Sequence, residues 1–258
     1  MTRLLHLSDL HFGTEQPHLV AEVLALAHQL RPDAVVISGD LTQRARAGQF
    51  AAARAFVDRL PGPVLVVPGN HDMPLGNLPL RLIAPLARHA RAFGADPEPG
   101  LRLPGAVVQG VNTANPWAWK SGRLRPASVA RLSAAFAAAP PAACRIAVLH
   151  HAPVPAAADM ADPAGTLAAL ADAGAQVVLS GHTHMPHAGF AETAAGVLFL
   201  QVGTAVSTRL KTATNDFALL DLTPGELRLR SWLAPLGGAF AEGPPARFRH
   251  GATGWRRV

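Results

Sequence analysis

Tyrosine is absent from this chain and cysteine occurs once, at Cys144. A single thiol excludes an intrachain disulfide framework, and its place just before an apolar run reads as a buried, inert side chain. Charged residues make up 16% and aromatic residues 5% of the 258 positions, while 49% are hydrophobic. A sizeable core can therefore be built with little aromatic bulk. No apolar run is long enough to span a membrane. A signal-peptide pattern is missing too, because residues 3–7 already read as a strand; a cytoplasmic location is the expectation. The formal net charge is +6, yet the arginines are scattered and the densest stretch is 247–257. That distribution reads as a solvated surface, and no stable nucleic-acid complex is expected.

What is present is a regular alternation. Apolar runs at 4–8, 34–38 and 64–67 are separated by helical spacing at 19–30 and 50–60. Strands alternating with helices imply a parallel sheet, and wholly apolar strands imply one buried on both faces. Residues 78–93 read as helix with Pro85 as an interruption, and 96–105 as a Pro/Gly-rich break. Strands follow at 107–111, 146–149 and 177–179, with helices at 128–139 and 166–173. Beyond His184 the pattern changes to antiparallel strands at 197–202, 217–222 and 227–232. The expected division is a main domain over 1–234, with 74–105 as a small lid. Residues 235–258 form a Gly/Pro/Arg-rich tail of partial disorder.

The polar residues sit where the strands end. Asp9-x-His11, Gly39-Asp40, Gly69-Asn70-His71-Asp72, His150-His151 and Gly181-His182-x-His184 each close an apolar run. Open parallel sheets bind ligands beyond the carboxyl ends of their strands, so these groups would share one crevice. In extended chain, residues i and i+2 face the same side. Asp9 and His11 could thus share a metal if the strand runs through them, as could His182 and His184. The glycines before Asp40, Asn70 and His182 allow a sharp turn or a close backbone approach. Oxygen and imidazole donors without thiolate suit Mn, Fe, Zn or Co.

The strings HLSDLHFG, ISGDLT, VPGNHD, VLHHAP and SGHTHMP, in that order, resemble the calcineurin-like metallophosphoesterases over residues 4–184. They look most like the bacterial cyclic-nucleotide and glycerophosphodiester phosphodiesterase branch. The resemblance implies a four-layer α/β/β/α sandwich, that is, two mixed sheets flanked by helices. It also implies two divalent metal ions, one held by Asp9, His11, Asp40 and His184. The other would be held by Asp40, Asn70, His150 and His182, with Asp40 bridging. His71 would face a small-molecule phosphate ester and Asp72 would orient His71. Hydrolysis would proceed by in-line attack of a hydroxide bridging metals about 3.5–4 Å apart, with phosphodiesters, cyclic nucleotides among them, as substrates. The alternatives on the same motifs are a phosphomonoesterase, a nucleotide-lipid pyrophosphatase and a non-catalytic scaffold. A homodimer is a further implication.

Several residues stay open at this stage. His150 is favoured over His151 because it directly follows the apolar run, although relatives read His-His-Pro-Pro and this chain has Ala152 before Pro153. His6 reads as core, and His18, His28 and His89 as solvent-facing. Trp117 and Trp119 read as core aromatics, with walls of a substrate pocket as the alternative. Asn115 is a candidate substrate contact, as is Asn70. Arg44 could meet a phosphate but reads equally as solvated, and Arg209 has no spacing argument to place it.

Overall fold

A computed structural model describes residues 1–153, 159–194 and 196–258. Strands β1 (Thr2–Leu7), β2 (Ala34–Ile37) and β3 (Val64–Val66) pair in parallel. Helices α1 (Pro17–Leu30) and α2 (Ala47–Val57) connect them. Strands β10 (Thr214–Thr223) and β11 (Glu226–Pro235) extend this sheet on the β1 side in antiparallel fashion. The second sheet has the order β4-β5-β6-β7-β9-β8. Its parallel centre is β5 (Ala106–Gly110), β6 (Cys144–His151), β7 (Val177–Gly181) and β9 (Leu198–Gln201). Antiparallel edges are β4 (Gly100–Leu103) and β8 (His187–Gly189).

The two-residue period of a strand sorts the apolar side chains into layers. In β1, Leu5 and Leu7 pack outward with Val23 and Phe56 of α1 and α2, whereas Leu4 joins Val36, Val148 and Leu220 between the sheets. A third cluster sets Val107, Leu149 and Val178 against Leu132 and Phe136 of α5 (Pro126–Ala137) and Leu167 and Leu170 of α6 (Pro163–Asp172). The result is helix, sheet, sheet, helix, the four-layer order that the resemblance implied. Burying a Leu or Val side chain contributes about 1.5–3 kcal/mol, so each layer is held by many such side chains. Among the described residues, no helix is long and apolar enough to cross a membrane.

Four expectations need correction. The break at 96–105 contains β4, an edge strand whose alternating exposure leaves no apolar run to read. Residues 241–257 are strands as well: β12 (Ala241–Glu242), β13 (Ala246–Gly251) and β14 (Gly254–Arg257) complete the first sheet. Phe248 and Trp255 enter the inter-sheet core while Arg247, Arg249, Arg256 and Arg257 face outward. This amphipathic hairpin lies behind a composition that looked unstructured. Within 74–105, α3 (Leu78–Ile83) and α4 (Ala87–Phe93) break apart around Pro85 as expected. But α4 packs on α2, and His89 is buried, edge-on to Phe50 and tilted against Phe93, rather than solvent-facing. Burial lowers the His89 pKa to about 4. Trp117 and Trp119 are not core residues; both are exposed.

Cys144 opens β6 and is half-buried. Burial, opposed by Arg145, pushes its thiol up to about 12. Only about one thiol in ten thousand is then ionised at pH 8, and the thiolate is the nucleophile. Titration with a chromogenic disulfide at pH 8 is expected to find no fast-reacting thiol in the native protein and one after denaturation. Rapid labelling of the native protein would contradict this placement.

Candidate metal centre

Each parallel strand delivers its polar residues at its carboxyl end, and the two sheets bring those ends together. The chain does not stay extended as it arrives. Asp9 (φ 51°), His11 (46°), Asp40 (51°), His182 (74°) and His184 (57°) all lie in the left-handed region. Such conformations cost a non-glycine residue of order 1–3 kcal/mol and persist where surroundings fix them. The i, i+2 argument for shared facing therefore fails on its premise. Asp9 and His11 still meet, with Oδ1 3.6 Å from Nε2. His182 and His184 part company: His184 joins Asp9 and His11, while His182 joins His150.

Each of the acidic or amide residues is tied from behind and bare in front. Asp9 Oδ2 accepts from the Ser8 hydroxyl at 2.7 Å and from the His182 N–H at 2.9 Å. Its Oδ1, fully buried, faces His184 Nε2 at 3.0 Å without a well-formed hydrogen bond. Asp40 Oδ1 accepts from the His71 N–H at 2.8 Å, and Oδ2 stands 3.6 Å from His11 Nε2 and 3.4 Å from His150 Nε2. Asn70 donates Nδ2–H to the Trp119 carbonyl, leaving Oδ1 pointed at His150 Nε2 (3.2 Å) and His182 Nδ1 (3.1 Å). Close approach makes this possible: a Cβ on Gly69 would overlap Asp40, and one on Gly181 would overlap Ser8 and Asp9.

Three of the four imidazoles follow the same rule, whereas His11 Nδ1 is buried without a hydrogen-bond partner. His150 Nδ1 is 2.8 Å from the Ser38 carbonyl, His184 Nδ1 is 2.5 Å from the Arg209 carbonyl, and His182 Nε2 is 3.0 Å from Asp159 Oδ2. An N–H donated to such an acceptor leaves the other ring nitrogen as a lone pair. With both rings neutral, His150 Nε2 and His182 Nδ1, 3.2 Å apart, face each other and Asn70 Oδ1 as three acceptors with no donor among them. That donor set fits a cation, and the bare Asp9 Oδ1 shows the same fit in the neighbouring group.

Charge is tuned accordingly. Burial would raise Asp9 and Asp40, but His184 and His11 hold Asp9, and His150 and His71 hold Asp40, well below the usual carboxylate range. Burial works against a charged His150, yet Asp40 beside it lifts that ring to about 9. The cluster thus demands positive charge, which protons and metal ions compete to supply. His151 is different. Burial, then His150 and His182, push its pKa well down, and Nδ1 is engaged with the Thr113 hydroxyl at 2.8 Å. Its nitrogens do lie within ligand reach of His150 and His182.

Among the described residues, Asp72 makes no hydrogen bond to the His71 ring it was expected to orient. Its carboxylate accepts from the N–H groups of Leu41 (3.2 Å), Thr42 (2.9 Å) and Gly69 (3.0 Å) and from the Thr42 hydroxyl (3.0 Å). The role is to lock the turn after β2 to the turn after β3. Burial, with Asp40 nearby, pushes Asp72 up to about 7 against the pull of those donors. The His71 ring is instead held by the Gln43 carbonyl at Nδ1 (2.8 Å), and Arg209 Nη1 lies 3.1 Å from Nε2. Asn115 is not drawn in: its Oδ1 accepts from the Trp117 N–H. Asp159 is the partner that sequence reasoning missed, and Arg209, left open there, is brought to the site by the fold. Arg209 lies on a loop without a motif, and Asp159 follows a Pro/Ala-rich run that carries no signal.

Calcineurin-like phosphoesterase is the family model that matches, over residues 2–186. Among curated proteins the chain is 38% identical over 80 residues to a glycerophosphodiester phosphodiesterase of Enterobacter lignolyticus. That match covers 27% of this chain and 29% of the relative. It is 28% identical over 204 residues to a cAMP/cGMP dual specificity phosphodiesterase of Mycobacterium tuberculosis, covering 70% and 61%. The matches therefore span less than two thirds of either relative's length. A dimetal phosphatase from Danio rerio shares the fold with a TM-score of 0.66 at 14% identity, over 93% of this chain and 98% of that one. Vps29 from Chaetomium thermophilum does so with a TM-score of 0.56 at 11% identity, over 96% and 99%.

Replacing Asp72 with Ala strands buried donors that cost about 1–3 kcal/mol each when unpaired. Relaxation and relief of the Asp40 repulsion offset part of this, so a loss of roughly 2–5 kcal/mol is expected in urea unfolding. Asp72→Asn, which keeps one acceptor oxygen, should lose less. A change within about 1 kcal/mol for the alanine variant would refute the locking role.

Proposed function

The chain belongs to the calcineurin-like phosphoesterase family, and from that premise we propose that it is a two-metal phosphodiesterase acting on small-molecule diesters. The observation that carries the two-metal reading is Asp40 Oδ2, which stands between His11 Nε2 at 3.6 Å and His150 Nε2 at 3.4 Å. Asp9, His11, Asp40 and His184 would hold one divalent ion; Asp40, Asn70, His150 and His182 would hold the other. Carboxylate, amide and imidazole donors suit Mn, Fe, Zn or Co. When bound, two such ions polarise a phosphoryl oxygen and make water nucleophilic near neutral pH. The diester preference, with cyclic nucleotides among the candidates, draws support from the two phosphodiesterases to which the chain is similar.

The chain's own contribution is orientation and charge. Asp72 fixes the turns that carry Asp40 and Asn70. The His71 ring stands edge-on to His11, with centroids 4.9 Å apart, and is aimed by the Gln43 carbonyl. Arg209 shares its front edge. In this reading the guanidinium of Arg209 balances charge on the phosphoryl oxygens, and His71 hands a proton to the leaving oxygen.

Metal-stripped protein should hydrolyse bis-p-nitrophenyl phosphate only after Mn²⁺ is added, and Asp40→Ala should abolish that turnover. His71→Ala should lower kcat by about 10²–10⁴-fold with metal content unchanged by elemental analysis. Wild-type turnover in Asp40→Ala, or loss of both metals in His71→Ala, would overturn these roles. Turnover of monoesters alone would replace the diester reading.

A further inference from the structure

Beside the metal centre lies a second concavity of about 500 Å³, lined by Arg44, Arg46, Arg88, Asn77, Trp119 and the 74–76 turn. No carboxylate lines it, and none of the three arginines has an acidic partner within salt-bridge distance among the described residues. Three guanidinium groups without counter-charge form a local field that favours a multiply charged anion.

The pocket is coupled to the site by two short links. Trp119 accepts the Asn70 amide N–H through its carbonyl at 3.2 Å. Arg44 follows Gln43, whose carbonyl holds the His71 ring. The Trp119 indole is exposed but braced: Arg81, buried beneath it, has its Cζ 5.2 Å from the ring centroid. Arg81 also donates to the carbonyls of Pro116 (2.9 Å) and Ala118 (2.5 Å). A flat, fixed aromatic face beside arginines is a stacking platform for a base and a clamp for a phosphate.

We propose that this pocket receives a second, non-reacting phosphate of the substrate, with the attached nucleobase against Trp119. The inference rests on the phosphodiesterase reading and narrows it: the preferred substrate is a nucleotide diester bearing a terminal phosphate, such as a 5′-phosphorylated dinucleotide. A neutral diol ester would leave the arginines unused.

The test compares pApA with ApA as substrates of the metal-loaded protein, and wild type with Arg44→Gln/Arg46→Gln. Wild type should favour pApA by at least tenfold in kcat/KM, mainly through KM, and the double variant should bring the ratio close to one. Equal rates on the two dinucleotides in wild type, or an unchanged ratio in the variant, would overturn the proposal. Calorimetric binding of ADP to the same two proteins separates its failure from that of the phosphodiesterase reading. If no diester is turned over, ADP binding that weakens at least tenfold in the variant still upholds the phosphate pocket. Equal binding in both proteins, or none in wild type, removes it.

Discussion

With the rings neutral, acceptor faces acceptor at the meeting point of the two sheets, and the rest of the molecule is arranged to keep it so. His150 Nε2, His182 Nδ1 and Asn70 Oδ1 lie 3.1–3.2 Å apart with their other polar atoms already engaged. Next to them Asp40 and Asp9 each keep one oxygen tied to an N–H; the other oxygen of Asp9 is unpaired, and that of Asp40 stands 3.4 Å and 3.6 Å from two ring nitrogens. Buried lone pairs and negative charge at such distances repel strongly unless positive charge enters. The fold supplies the rigidity: five left-handed residues, turns locked by Asp72, and glycines that let backbones close in. Among the described residues, five of the seven left-handed non-glycine positions fall at this one cluster.

The layered fold was legible because period-2 and helical patterns were strong in the central elements. What escaped notice were edges, β4 and the β13–β14 hairpin, where half the side chains face water and arginine dominates the composition. The site residues were legible by type and by position at strand ends. Their conformation was not: extended-chain reasoning put His182 and His184 together, whereas left-handed turns send them to different groups. Asp72 shows the same limit, because its partners are backbone N–H groups from a turn some thirty residues earlier. Arg209 and Asp159 come from loops, and only tertiary structure brings them in.

Fold and chemistry separate cleanly in this molecule. The same layers occur, at 11–14% identity, in a dimetal phosphatase and in Vps29, so the architecture by itself specifies no reaction. The side chains at the strand ends carry the chemistry, and the arginines and the braced indole lie farther out. Part of the positive net charge is gathered in the concavity lined by Arg44, Arg46 and Arg88.

Anomalous diffraction from crystals of the Mn²⁺-loaded protein tests the centre most directly. Two peaks are expected on either side of Asp40 Oδ2, about 3.5–4 Å apart as in other two-metal sites, with Asn70, His150 and His182 around one and Asp9, His11 and His184 around the other. A single peak away from Asp40, or none at saturating metal, would contradict the two-metal account.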